Sequence, residues 1–546
     1  MLTCLLVLSL LLSVNAFCPS GCQCSEEVQP SVDCSGAGLT SIPILLNPRT
    51  RSLTLRNNRI SAITLDELSV YSELEFLDLS FNRILSLDRG SFYRLQSLQV
   101  LKLNGNMLTG LVVETFTGLQ RLKVLDLSQN SLSRLSTSVF VDLRRLELLN
   151  VSANALKAMS PGAFTGLTSL NELLLDNNEL SKVPKIALHA TKALKLLDMG
   201  HNRLRRVHNN SFEHLRNLQM LSLTSNELES IDEHAFDGLQ SLRQLDLSQN
   251  RLSTVPTLSF RSLTELDTLE LGQNLLAQLP TSCFEGLARL RQLVVTQCAK
   301  LRRIELNAFS GLYALETLML SNNPLLESID PLAFERPNSL RQFFLSNNNL
   351  RSLPQYLLDW QQLSELDLRN NPWRCDCDFE WVVEALRLVY GPADTQAVSA
   401  GRCSSPEALA QRSLITLEPD DFDCNQTHSP DYLAPLLVLV IVLLIATAFV
   451  LCVLRFRHRC CANQQTDSLC SQSDIVSSGP YSYSYGYGHT NSKKSLLYAG
   501  FPPPTCSKVP PVDYYSTISP VTVTSTLSRD GSFRVISNYP VPITEL

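Results

Sequence analysis

Histidine and cysteine are the residues whose spacing is most informative for chemistry in this 546-residue chain. The eight histidines (His189, His201, His208, His214, His234, His428, His458, His489) form no metal spacing. No nucleophile elbow and no glycine-rich phosphate loop occurs, so an enzyme is disfavoured and no cofactor or metal is expected. Cysteines are grouped instead. Cys18, Cys22, Cys24 and Cys34 stand in a C-x3-C-x-C-x9-C cluster, and Cys375, Cys377, Cys403 and Cys424 form a second set far downstream. Such clusters can hold a metal or form disulfides, and spacing alone leaves three pairings for each set of four. Cys283 and Cys298 lie between the sets, as two buried thiols or as a further disulfide.

The elements between the clusters are set by a period. Asn58, Asn82, Asn106, Asn130, Asn154, Asn178, Asn202, Asn226, Asn250 and Asn274 follow one another at steps of 24 residues. Cys298 then takes the slot, and Asn323, Asn348 and Asn371 follow at steps of 25, 25 and 23. Each closes a frame L-x-x-L-x-L-x-x-N, for example Leu74-Leu77-Leu79-Asn82 and Leu242-Leu245-Leu247-Asn250. Two leucines flanking one outward residue alternate in and out, so each copy supplies a short strand. Stacked copies bury the inward leucines, which no single copy could do alone. The asparagine turns the chain out of the strand, and a ladder of such amides satisfies neighbouring backbones. Cys298 is a poor hydrogen-bonder, so a local irregularity is expected there. A second column, Phe92, Phe116, Phe140, Phe164, Phe212, Phe236, Phe260, Phe284, Phe309 and Phe334, reads as a packed spine on the opposite side.

The frame resembles the leucine-rich repeat, in fourteen copies over roughly Cys18 to Cys424. The cysteine sets look like the N- and C-terminal caps of extracellular proteins of this type. The resemblance implies an α/β fold, a curved parallel-sheet solenoid closed at both ends. It also implies the pairings Cys18–Cys24, Cys22–Cys34, Cys375–Cys403 and Cys377–Cys424, in an oxidising compartment.

Two apolar runs give the expected topology. Leu5 to Val14 followed by Val14-Asn15-Ala16 reads as a signal peptide over residues 1–16. The 22 residues from Leu433 to Leu454 carry no charge and are followed by Arg455, Arg457 and Arg459. Such a segment spans a bilayer as a helix with its basic flank in the cytoplasm. The expected order is therefore a cap at 17–49, repeats at 50–371, a second cap at 372–424, a linker at 425–432, the span at 433–454 and a cytoplasmic tail at 455–546. The formal net charge of −6 conceals a balance of +3 in that tail and −9 before it. No basic footprint marks the chain as a nucleic-acid binder. The tail, with its run Tyr481 to Gly488, is too poor in aliphatics for a core and is expected to be disordered. Its end, Thr544-Glu545-Leu546, resembles a ligand for a PDZ-domain scaffold, and Cys460 and Cys461 below the span are palmitoylation candidates.

The residue between the two strand leucines points into the concave face. Along that column Asp78, Asp126, Asp198, Asp246 and Glu270 form an acidic stretch, either a steering surface for a basic partner or a merely solvated row. Val294, Met319 and Phe344 then follow in three successive repeats, an apolar patch expected to anchor a protein ligand; tolerance near the cap is the alternative. Glycan sequons occur at Asn150, Asn209 and Asn425. The chain is expected to be a plasma-membrane adhesion or organiser receptor similar to the leucine-rich-repeat transmembrane proteins of neurons. The alternative is a co-receptor or innate pattern-recognition accessory acting in cis.

Overall fold

The computed structural model describes residues 18–26, 29–334, 339–391, 400–422, 424 and 433–461. The signal-peptide reading, the 425–432 linker with Asn425 and the tail motifs lie outside the described residues. The chain divides after Leu437 into two units, each treated by itself.

In the first unit the fourteen frames become fourteen three-residue strands, from Ser52–Thr54 to Glu365–Asp367, hydrogen-bonded in parallel in chain order. Register repeats without slippage, so Leu53 pairs with Leu77 and Leu245 with Leu269. Every central strand residue is buried, and a strand this short gains its core only from its neighbours. An antiparallel pair, Gln23–Ser25 with Ser31–Asp33, covers the first strand, with Val32 set against Leu53. Disulfides join Cys18 to Cys24 and Cys22 to Cys34 at this end.

The asparagine ladder is continuous through the regular repeats. Asn82 Nδ2 donates to Leu55 O (2.9 Å) in the previous repeat and Leu79 O (3.0 Å) in its own, while Oδ1 accepts from Ile60 N (3.0 Å). The residue just before each ladder position turns left-handed, as at Asn57 (φ 58°) and Gln273 (φ 55°). Gly105 fills that slot once, and a Cβ there would meet the Phe81 ring at 2.6 Å.

On the opposite side the phenylalanines are buried and stacked in runs, with Phe92–Phe116 centroids at 6.3 Å and Phe236–Phe260 at 6.5 Å. Leu188 takes the slot between Phe164 and Phe212. The chain here makes turns, two-residue strands such as Arg206–Val207 beside Ser230–Ile231, or single helical turns such as Lys185–Leu188 and Thr257–Phe260. Pro184 and Pro256 cap those two helical turns at their N-termini, at the position whose N–H in the preceding repeat bonds back across the array, as Ser160 N does to Leu135 O and Asp232 N to Val207 O.

The spine runs on into the C-terminal end through Phe334, Phe343, Trp360 and Trp381, with the last pair of centroids at 4.8 Å. Trp373 stacks on Phe379 at 5.1 Å and donates Nε1–H to Leu368 O at 2.8 Å. The helix Trp381–Tyr390 lies over this aromatic end, and Cys375–Cys403 and Cys377–Cys424 tie the segments together.

The remaining helix, Leu433–Cys461, contains a stretch, Leu437–Arg455, long and apolar enough to cross a membrane. Cys460 and Cys461 are its last two residues.

Candidate binding face

The column between the strand leucines runs along the open face of the sheet. Strand register sets Glu270 beside Val294, Val294 beside Met319, Met319 beside Phe344 and Phe344 beside Asp367. The three apolar side chains are half-buried, each presenting part of its surface outward. The adjoining row is polar and internally bonded: Thr317 Oγ1 donates to Gln342 Oε1 (2.8 Å), and Gln342 Nε2 donates to Glu365 Oε2 (3.0 Å). On the ladder side Ser346 Oγ donates to Ser321 Oγ (3.1 Å). At the far end Arg369 grips Asp367 through Nε–Oδ1 (2.8 Å) and Nη2–Oδ2 (2.6 Å), a two-pronged pair that raises the guanidinium pKa. The polar groups beside Met319 and Phe344 thus make hydrogen bonds within the fold.

The acidic stretch differs from both sequence readings. Asp78, Asp126, Asp198 and Asp246 each accept the backbone N–H two residues on, from Ser80 (2.8 Å), Ser128 (2.9 Å), Gly200 (2.9 Å) and Ser248 (2.8 Å). These carboxylates close the turn after each strand. Burial also raises proton affinity along part of the column: Asp126 and Asp246 are shifted up, Asp198 is pushed to about 6, and Glu270 to about 8 with Asp246 adding repulsion. Glu270, next to Val294, thus holds its proton well above the ordinary carboxylate range. The face is less negative than its formal charges indicate, which weakens the steering reading.

Asn150 ends its strand half-buried in the same column and uses Oδ1 to accept from Ser152 N (3.0 Å), the serine of its own sequon. Asn209 is exposed on the opposite side, where its Oδ1 accepts from His234 N (3.0 Å). Cys283 and Cys298 are buried free thiols, both pushed to high pKa by burial, Cys298 to about 11.

The expectation that histidines make no metal cluster needs correction. His189, Glu213 and His214 place their donor atoms within 4.8 Å of one another. The signal was the period itself: His189 and Glu213 are 24 residues apart, one turn of the solenoid.

The family model described as leucine rich repeat matches overlapping stretches from residues 48–108 to 314–372. Mouse podocan is 41% identical over 83 residues, covering 15% of this chain and 13% of podocan. Human leucine-rich repeat-containing protein 3B is 37% identical over 94 residues, 16% of this chain and 36% of that protein. The chain thus spans well under half the length of either relative. Among solved structures, the Toll–Spatzle complex of Drosophila superposes with a TM-score of 0.53 at 21% identity, over 69% of this chain and 61% of that one, a likeness of fold.

Proposed function

The chain belongs to the leucine-rich-repeat family, and from that premise we propose that it is a single-pass cell-surface receptor or adhesion molecule that holds a protein ligand on its concave face. In this reading the repeats face outward behind a cleaved signal peptide, residues 1–16. The helix from Leu433 crosses the plasma membrane, with Arg455, Arg457 and Arg459 on the cytoplasmic side. Thr544-Glu545-Leu546 engages a PDZ scaffold, and Cys460 and Cys461 accept palmitate. Glycans at Asn150, Asn209 and Asn425 belong to the outer part, and one at Asn150 directs the ligand toward the C-terminal repeats.

The observation that carries the reading is the register of Val294, Met319 and Phe344. Three outward apolar side chains side by side, with hydrogen-bonded polar groups beside Met319 and Phe344, have the anatomy of an interface centre. Substituting Met319→Asp together with Phe344→Asp tests it in cells displaying the full chain. Surface display should persist, while adhesion to opposing cells should fall to the level of non-expressing controls. Undiminished adhesion by the double variant removes the site. Adhesion absent from the unmodified chain, with capture only of a partner in the same membrane, favours the co-receptor role.

A further inference from the structure

We propose that His189, Glu213 and His214 form a surface zinc site, with the two imidazole Nε2 atoms and a Glu213 carboxylate oxygen as ligands. His189 follows the helical turn Lys185–Leu188 as its C-cap, and Glu213 and His214 stand in the next repeat just after Phe212. Elsewhere this turn often reads F-x-G-L. A Cβ added at Gly118, Gly166 or Gly238 would fall 2.4 Å from a backbone oxygen, that of Tyr93, Val141 or Glu213, each 25 residues earlier. In this repeat His214 replaces the glycine, and the residue 25 positions before it is His189. The helical turn at Lys185–Leu188 accompanies the substitution, and the two rings meet edge to face with centroids 3.9 Å apart.

His214 Nε2 lies 3.1 Å from Glu213 Oε1, and His189 Nε2 lies 3.8 Å from the same oxygen. Zinc bonds of about 2.0–2.1 Å set tetrahedral donors about 3.3–3.4 Å apart, so small side-chain rotations bring all three into range. The imidazoles, 44% and 42% exposed, are free to make them. Two nitrogens and one carboxylate oxygen suit zinc, and a fourth position stays open for water or a donor from a second molecule.

Lys185 sharpens the proposal. Its Nζ sits 3.2 Å from Glu213 Oε1, a cation already held by the oxygen that the metal needs. Zinc must displace this ammonium, so Lys185 acts as a built-in competitor. A plain ion-pair cluster predicts no gain in zinc binding when the lysine is removed.

The test is calorimetric titration of the purified full-length chain in detergent with zinc chloride, after chelator treatment and alkylation of free thiols. One zinc per chain should bind, and H189A/H214A should weaken that event about 100-fold or abolish it, with the isosteric Glu213→Gln weakening it at least about 10-fold. Lys185→Ala should tighten it several-fold. Absence of zinc binding by the unmodified chain, equal binding by H189A/H214A, or unchanged or weaker binding by Lys185→Ala would each overturn the proposal.

Discussion

The backbone N–H of Cys298 donates to Oδ1 of Asn323 across 2.8 Å, a bond shifted from its place in the regular repeats. There the ladder amide accepts from the residue two beyond the preceding ladder position, as Asn274 Oδ1 does from Leu252 N at 3.0 Å. After Cys298 and Asn323 one residue is inserted, so Leu301 and Leu326 come three positions on and the bond moves to the ladder residue itself. The irregularity expected at Cys298 thus has two causes: an insertion, and a thiol whose contacts to Leu271 O and Thr296 O are long, both 3.7 Å.

Replacing Cys298→Asn should therefore stabilise the array. The new Nδ2 reaches Leu271 O, and Oδ1 faces Leu276 N as Asn274 Oδ1 faces Leu252 N. A gain of about 1 kcal/mol is expected, read as a higher unfolding temperature. Asn274→Ala should do the opposite, costing about 2–4 kcal/mol, because it strips partners from Leu247 O, Leu271 O and Leu252 N together. A Cys298→Asn chain that melts lower than the parent would show that thiol size, and not the missing amide, governs the slot.

Two glycines separate backbone strain from collision. Gly118 (φ +95°) has Tyr93 O only 2.4 Å from a would-be Cβ, while Gly311 (φ +85°) has nothing within 4 Å. Alanine at Gly311 bears the left-handed penalty alone, about 1 kcal/mol, whereas alanine at Gly118 must also push one repeat off the next. Thermal melts should rank Gly118→Ala well below Gly311→Ala. Equal losses would mean that the repeats slide apart freely at Tyr93.

The leucines, the asparagine ladder and the phenylalanine spine were legible because a fixed period names each residue's neighbour without any folding calculation. Val294, Met319 and Phe344 were found that way. Column position alone does not give the role of the acids, because the residue two places on decides it: in Asp126-Leu127-Ser128 the serine N–H is the carboxylate's partner. His189 and His214 were missed for a related reason. Metal motifs are sought at helical or turn spacing, and here the relevant spacing is the solenoid's own. The helical turn at Lys185–Leu188, which brings His189 to that position, is a local choice that a leucine count does not register.

Phe236 sits fully buried between Phe212 and Phe260, with ring centroids 6.3 and 6.5 Å away in near-parallel stacks. Phe236→Ala should cost about 3–5 kcal/mol through lost transfer energy and the cavity left behind. In a solenoid each repeat touches only its neighbours, so the damage should also split the unfolding. Urea titration should show a broader transition or a second step. A single transition, shifted but equally steep, would mean that coupling between repeats survives loss of the ring.

Glu270 gives the pH prediction. Burial first, and repulsion from Asp246 second, raise its pKa from 4.5 to about 8, so the folded chain holds this proton more tightly than the unfolded one. The stability it contributes is fully present below pH 4.5 and is lost as pH rises through 8. Glu270→Gln keeps the shape and removes the titration. The parent should lose on the order of a few kcal/mol more than the variant between pH 5 and pH 9. Melts recorded across that range with identical slopes would mean that Glu270 is ionised at neutral pH. The apolar surface beginning at Val294 would then be bordered by a full negative charge, and a ligand docking there would need a cation to meet it.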